Sequence, residues 1–136
     1  MLTRDQQYAI SAHDCVFKIS KDYENSEQNR RKYGSTAHKL PILIHTAGLA
    51  QALTFIETRG SSKKGEINPY KDFLRDLEQT IGKDEPKSLC ERAREVDLAE
   101  YMLLTQQVLH ALVWYKRFAQ SILDVDASAT MDDGER

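Results

Sequence analysis

The first apolar pattern along the chain is helical. Tyr8, Ala12, Cys15, Ile19 and Tyr23 recur at steps of four, three, four and four, and Ala9 and Val16 widen the stripe. That period puts them on one face of a helix. Thr3 and Gln6 stand in capping-box register at its start, where each side chain can satisfy an orphan N–H. The pattern stops at Tyr23. Residues 24–32, ENSEQNRRK, are wholly polar and read as a frayed helix end or a solvated loop. Tyr33-Gly34-Ser35 reads as punctuation: Gly34 suits the positive φ that closes a helix, and Ser35 or Thr36 suits the next N-cap. A second helix follows, with Ala37, Leu40, Ile44 and Ala47 on its apolar side and Ile42 and Leu43 beside them. Pro41 falls inside this pattern. It has no N–H and its ring collides with the carbonyl four residues back, so a kink or break is expected there.

Gly48-Leu49, a turn or a close approach of helices, opens a short amphipathic stretch of Leu49, Ala52, Leu53, Phe55 and Ile56 that ends at Arg59-Gly60. Residues 60–68, GSSKKGEIN, form the clearest internal loop. Asn68-Pro69 combines an N-cap with proline at the first helical position. Tyr70, Phe73, Leu74, Leu77 and Ile81 then mark a fourth helix closed by Gly82. Asp84-Glu85-Pro86 introduces a short fifth segment with Leu89 and Cys90. Asp97 and Glu100 open the longest run, Leu98 to about Leu123. Its expected buried side is Leu98, Met102, Leu109, Leu112, Val113 and Phe118, extended by Trp114 and Tyr115. No strand alternation or internal repeat is visible. The expected fold is all-α: a compact bundle of five or six helices over residues 1–123, followed by a disordered acidic tail over residues 124–136.

Composition agrees. The 136 residues suit one domain and a core that buries roughly two-thirds of the unfolded surface. Only 6 Gly and 3 Pro favour helices over a turn-rich β-fold. No apolar run reaches the length of a membrane span. Met1-Leu2-Thr3-Arg4-Asp5 leads into polar sequence without the apolar stretch of a signal peptide. Two cysteines, Cys15 and Cys90, supply neither a disulfide framework nor a metal cage and read as small core residues. The expected location is cytoplasmic.

Net charge is −2, which at face value disfavours a nucleic-acid partner. The average conceals two parts. The tail holds the acids Asp124, Asp126, Asp132, Asp133 and Glu135 and one base, Arg136; without it, 18 bases face 16 acids, a net of +2. The bases also cluster: Arg30, Arg31 and Lys32 before Tyr33, Lys39 beyond it, Lys63-Lys64 in the loop, Arg92 and Arg94, and Lys116-Arg117 near the end of the last helix. Such clusters can meet phosphates, although mixed charge is also the ordinary state of a soluble surface.

Catalytic chemistry finds no constellation. The histidines are His13, His38, His45 and His110, and the two-His zinc helix spacing with its glutamate is absent. His13 and Cys15 point to opposite sides of a helix. Asp72 and Asp76 share a face, but Lys71 and Arg75 are interleaved, which favours a solvated surface. No glycine-rich phosphate loop or nucleophile elbow occurs. The chain is therefore read as not an enzyme, with no catalytic residues, metal or cofactor; a nuclease built on His38 or His45 with Lys39 is the remote alternative.

Three runs carry a family resemblance: Lys32-Tyr33-Gly34-Ser35, then Lys39-Leu40-Pro41-Ile42-Leu43-Ile44, then Gly48-Leu49-Ala50-Gln51-Ala52-Leu53-Thr54-Phe55. They resemble the small helical subunit of the Cmr complex, the type III-B CRISPR RNA-guided effector. Tyr101-Met102-Leu103-Leu104-Thr105, Trp114-Tyr115-Lys116-Arg117-Phe118-Ala119 and the opening Arg4-Asp5-Gln6 with Tyr8-Ala9 agree. The resemblance spans about residues 4–123. It implies a non-catalytic subunit that stacks with copies of itself and other Cmr subunits, beside the CRISPR RNA and along the target RNA, in antiviral defence. In that setting Arg30, Arg31, Lys32, Lys39, Lys116 and Arg117 become candidate RNA-phosphate contacts. Tyr33, Gly34, Ser35, Leu40, Pro41, Gly48, Leu49, Trp114 and Phe118 are expected to be structural, and the tail is read as repelling stray nucleic acid. The competing expectation is a purely protein-binding scaffold.

Overall fold

The computed structural model describes residues 1–61, 65–82 and 85–128. They form six helices: α1 (Arg4–Asp22), α2 (Glu27–Ala47), α3 (Leu49–Arg59), α4 (Pro69–Gly82), α5 (Leu89–Glu95) and α6 (Leu98–Ser121). Among the described residues there is no strand, so the fold is all-α as expected. Lys63, Lys64, Asp84 and tail residues 129–136 lie outside the described residues.

Most boundaries follow from caps. Thr3 and Gln6 complete a capping box, Asn68 Oδ1 accepts from the N–H groups of Tyr70 and Lys71, and Asp97 accepts from Glu100 N–H. α5 begins at a second capping box, Ser88 with Glu91, two residues beyond Pro86. α3 has no side-chain cap of its own, since Gly48 precedes it; the Tyr101 hydroxyl on α6 accepts from Ala50 N–H at 3.0 Å instead.

α2 departs from expectation twice. Its start is Ser26, whose hydroxyl accepts from Asn29 N–H, so most of the polar run is helix. Glu, Gln, Arg and Lys are good helix formers and need no apolar face of their own when the same helix is buried further along. The helix also runs through Tyr33-Gly34-Ser35 and through Pro41 without a break. Tyr33, Ala37, Leu40 and Ile44 form one buried stripe across Pro41. Burying them stabilises by more than the ~3 kcal/mol that an internal proline costs. The real terminator is Gly48, at φ 90° and ψ 160°, a conformation that glycine adopts without strain.

The core is a column of aromatic rings. Tyr23, Tyr33, Phe73 and Tyr115 meet edge-to-face in sequence, with centroids 6.5, 5.1 and 5.4 Å apart. They join α2, α4 and α6 to the end of α1, and α6 packs along α1, α2 and α4. The hydroxyls need partners in this interior, and α4 supplies them. Tyr33 donates to Asp76 Oδ2 at 2.6 Å and Tyr115 donates to the Asp76 carbonyl at 3.0 Å. Thr80 bridges Tyr115 and Ser11, 2.7 Å from each hydroxyl.

Asp76 is therefore not the solvated surface acid that its neighbours suggested. It is 7% exposed. Burial pushes its carboxyl up to about 6, against the opposing pull of the Tyr33 hydrogen bond and the Arg75 guanidinium. The i, i+4 partner Asp72 sits at the rim, taking a hydrogen bond from Tyr23 and an ion pair from Arg75 at 3.2 Å.

α6 also corrects its expected buried side. Its core face is Leu104, Val108, Ala111, Leu112, Tyr115 and Ala119. Leu98, Met102 and Val113 are exposed, Leu98 by 74% and Met102 by 58%. The helix is apolar over more than half its circumference, so periodicity alone admits two alternative inward faces. Tyr115, with its hydroxyl satisfied by α4, and the small Ala111 and Ala119 decide which one packs.

Candidate nucleic-acid interface

α2 carries four of the six candidate bases, Arg30, Arg31, Lys32 and Lys39, and one acid, Glu27 in its first turn. Lys32 and Lys39 are seven residues apart and so lie above one another, both half-buried, with the exposed Arg31 beside them. Arg30 is used differently. Its guanidinium donates to the carbonyls of Tyr23 and Glu24 at 2.8 and 2.9 Å, closing the end of α1. It is a structural residue first.

Lys116 and Arg117 lie on α6, which packs against α2. Both are exposed. Arg117 sits 5.9 Å from the Trp114 ring centroid, a cation–π distance. Trp114 is half-buried, not core: its indole N–H donates to Asp5 Oδ1 at 3.0 Å and its ring stacks on Phe118. Phe118 in turn meets His13, which stacks on Phe17, making a surface row of rings between α6 and α1. Arg92 and Arg94 pair with Glu85 and Glu57 at 4.0 and 3.5 Å, which neutralises that cluster.

Tyr33, Ser35, Leu40 and Leu49 are fully buried. Gly34 is buried mid-helix, and its use is steric: a Cβ there would lie 2.6 Å from the Cβ of Val125. The chain after α6 thus returns across α2. Asp124 adopts a left-handed φ of 59°, and Val125 N–H donates to Ala119 O at 3.0 Å, which turns the chain back at the end of α6. Val125 is 7% exposed against Gly34, so the segment expected to bury nothing does bury one apolar side chain. That is worth about 1–2 kcal/mol. His38 Nε2 is 2.8 Å from the Val125 carbonyl, and Lys39 Nζ donates to the Ala127 carbonyl at 3.3 Å. No spacing rule could have announced this contact, because it joins residues 87 apart in sequence.

His38 is buried beneath that segment and His45 is exposed two turns along the same helix, so the two do not converge. Among the described residues, no group of three or more His, Cys, Asp or Glu could hold a metal ion. Among them also, no helix is long and apolar enough to cross a membrane.

The chain matches the family model described as CRISPR-associated protein (Cas_Cmr5) over residues 4–122. It belongs to the Cmr5 family. One Cmr5 relative is the CRISPR system Cmr subunit Cmr5 of Thermus thermophilus, 38% identical over 124 residues, which are 91% of this chain and 99% of the relative. The crystal structure of a CRISPR-associated Cmr5 family protein from Thermus thermophilus superposes with a TM-score of 0.74 at 38% identity, covering 90% of this chain and 98% of that one. The family reached from short motifs, the small helical subunit of the type III-B Cmr effector, is thus the one that nearly the whole helical body matches. The Cmr5 family match ends at residue 122, immediately before the Val125 crossing.

Proposed function

We propose that this Cmr5-family chain is a non-catalytic small subunit of a type III-B CRISPR effector. It packs against other Cmr subunits and copies of itself and meets the backbone of the target RNA or its duplex with the CRISPR RNA. The observation that carries the RNA reading is the charge of α2: four bases and one acid, with Arg31 exposed and Lys32 and Lys39 half-buried beside it. Phosphate contacts of this kind position a nucleic acid without reading its sequence, which base pairing to the guide supplies. Lys116 and Arg117 extend the basic surface from α6, while Arg30 contributes mainly by holding α1 to α2.

A pure scaffold is the second reading, and the exposed apolar row of α6 favours it: Leu98, Met102 and Val113 share one side and are left out of the core. The two readings separate on charge reversal. In the assembled complex, Arg31→Glu/Lys32→Glu/Lys39→Glu should weaken target-RNA binding at least about tenfold at low salt. It should also flatten the dependence of log K on log salt, by roughly 0.7–0.9 per lost phosphate contact. A complex that assembles normally and binds RNA unchanged across salt concentrations would make this chain a scaffold.

A further inference from the structure

The segment Asp124–Ser128 lies on the face of α2 that carries the candidate RNA contacts. It covers Gly34 with the Val125 side chain, takes the His38 ring nitrogen on the Val125 carbonyl, and occupies Lys39 Nζ with the Ala127 carbonyl. It also brings a carboxylate to the same place. The Asp126 carboxyl is held below the usual range chiefly by the Ser128 hydroxyl and backbone N–H, with His38 and Arg31 adding to the field. The segment lies beyond the family match.

We propose that Asp124–Ser128 is a displaceable strap that competes with RNA phosphate for the basic face of α2. This rests on the reading that α2 meets RNA. The strap gives Lys39 a carbonyl acceptor and sets the Asp126 carboxylate in the field of Arg31; a phosphate offers the same kinds of acceptor. Its attachment is slight: one apolar side chain, two side-chain hydrogen bonds and the Val125 N–H bond to Ala119 O, set against a left-handed Asp124 that glycine or asparagine would occupy with less strain. A negative residue at the C-terminal end of α6 also opposes the helix dipole. A single phosphate gains little by displacing it, whereas a polyanion running along several subunits gains at each one. The strap therefore raises the threshold for stray RNA more than for the target held in the assembly.

The test uses full-length variants that loosen the strap without changing charge, with a fluorescein-labelled polyuridylate as probe. Gly34→Ala places a methyl where Val125 sits, and Val125→Ser removes the apolar anchor. Both should bind the RNA several-fold more tightly than the parent, and the Val125 amide of the parent should exchange faster when the RNA is added. Two folded charge-neutral variants with parental affinity, together with unchanged Val125 protection under saturating RNA, would overturn the strap. In that case a weaker Arg31→Glu/Lys32→Glu/Lys39→Glu variant would leave the RNA reading standing. If the charge reversal changes nothing in either the parent or the Val125→Ser background, the RNA reading fails, and competition fails with it.

Discussion

Asp76 is the residue whose environment departs furthest from its sequence neighbourhood. Flanked by Arg75 and one turn from Asp72, it has the local pattern of a surface acid, yet its carboxyl accepts from Tyr33 inside the aromatic column. Because burial raises its folded value to about 6, the stability it contributes is complete below about pH 4 and is lost as pH rises through 6. Asp76→Asn keeps an acceptor for Tyr33 but does not titrate. The stability difference between the Asp76→Asn variant and the parent should therefore move in the variant's favour by about 2 kcal/mol between pH 4 and pH 7.5, read by urea unfolding at each pH. A constant difference would mean that the carboxylate is better solvated than its position implies. The buried thiols are quieter: burial pushes Cys90 up to about 12, which leaves it a small core residue at physiological pH.

At the level of elements, α6 carries two apolar faces, one buried and one exposed. Leu112 is fully buried and Met102 and Val113 are not. Leu112→Ala should cost about 2–5 kcal/mol in chemical denaturation, the range for a buried leucine truncation. Met102→Lys/Val113→Lys should change monomer stability by less than about 0.5 kcal/mol per site yet reduce co-purification with the other Cmr subunits. Normal recovery of the complex would remove this face from the assembly surface. α2 offers the complementary case. Its charged half looks like loop and its glycine and proline look like stops, but the helix is continuous because its buried stripe is shared with α4 and α6. Gly34 and Pro41 were legible as special residues; their roles were not, since a glycine's use depends on what approaches it.

For the whole molecule, α6 is the element that unites the bundle. It packs on α1, α2 and α4, and Tyr115 ties it to Asp76 and Thr80 on α4. A fragment ending at residue 97 would expose the inner faces of those three helices. It should lack a cooperative thermal transition and bind a hydrophobic dye, whereas the full chain should melt in one step. A cooperative melt of the fragment would show that α1 to α5 hold a core without it.

The all-α class with five or six helices, the caps at Thr3, Asn68 and Asp97, the buried stripe of α1 and the family were all determined by the sequence itself. Each is written in local periodicity, in cap chemistry or in ordered short motifs. Tertiary structure alone decided which face of α6 turns inward, that Asp76 is interior, and that Val125 lies in the notch of Gly34. It also decided which bases stay on the outer surface: Arg30 is drawn into the α1 terminus while Lys116 remains exposed. These outcomes depend on contacts between residues far apart in the chain. A residue's burial, and hence its charge state and availability, is set by what packs against it from another helix, which no spacing within its own helix records.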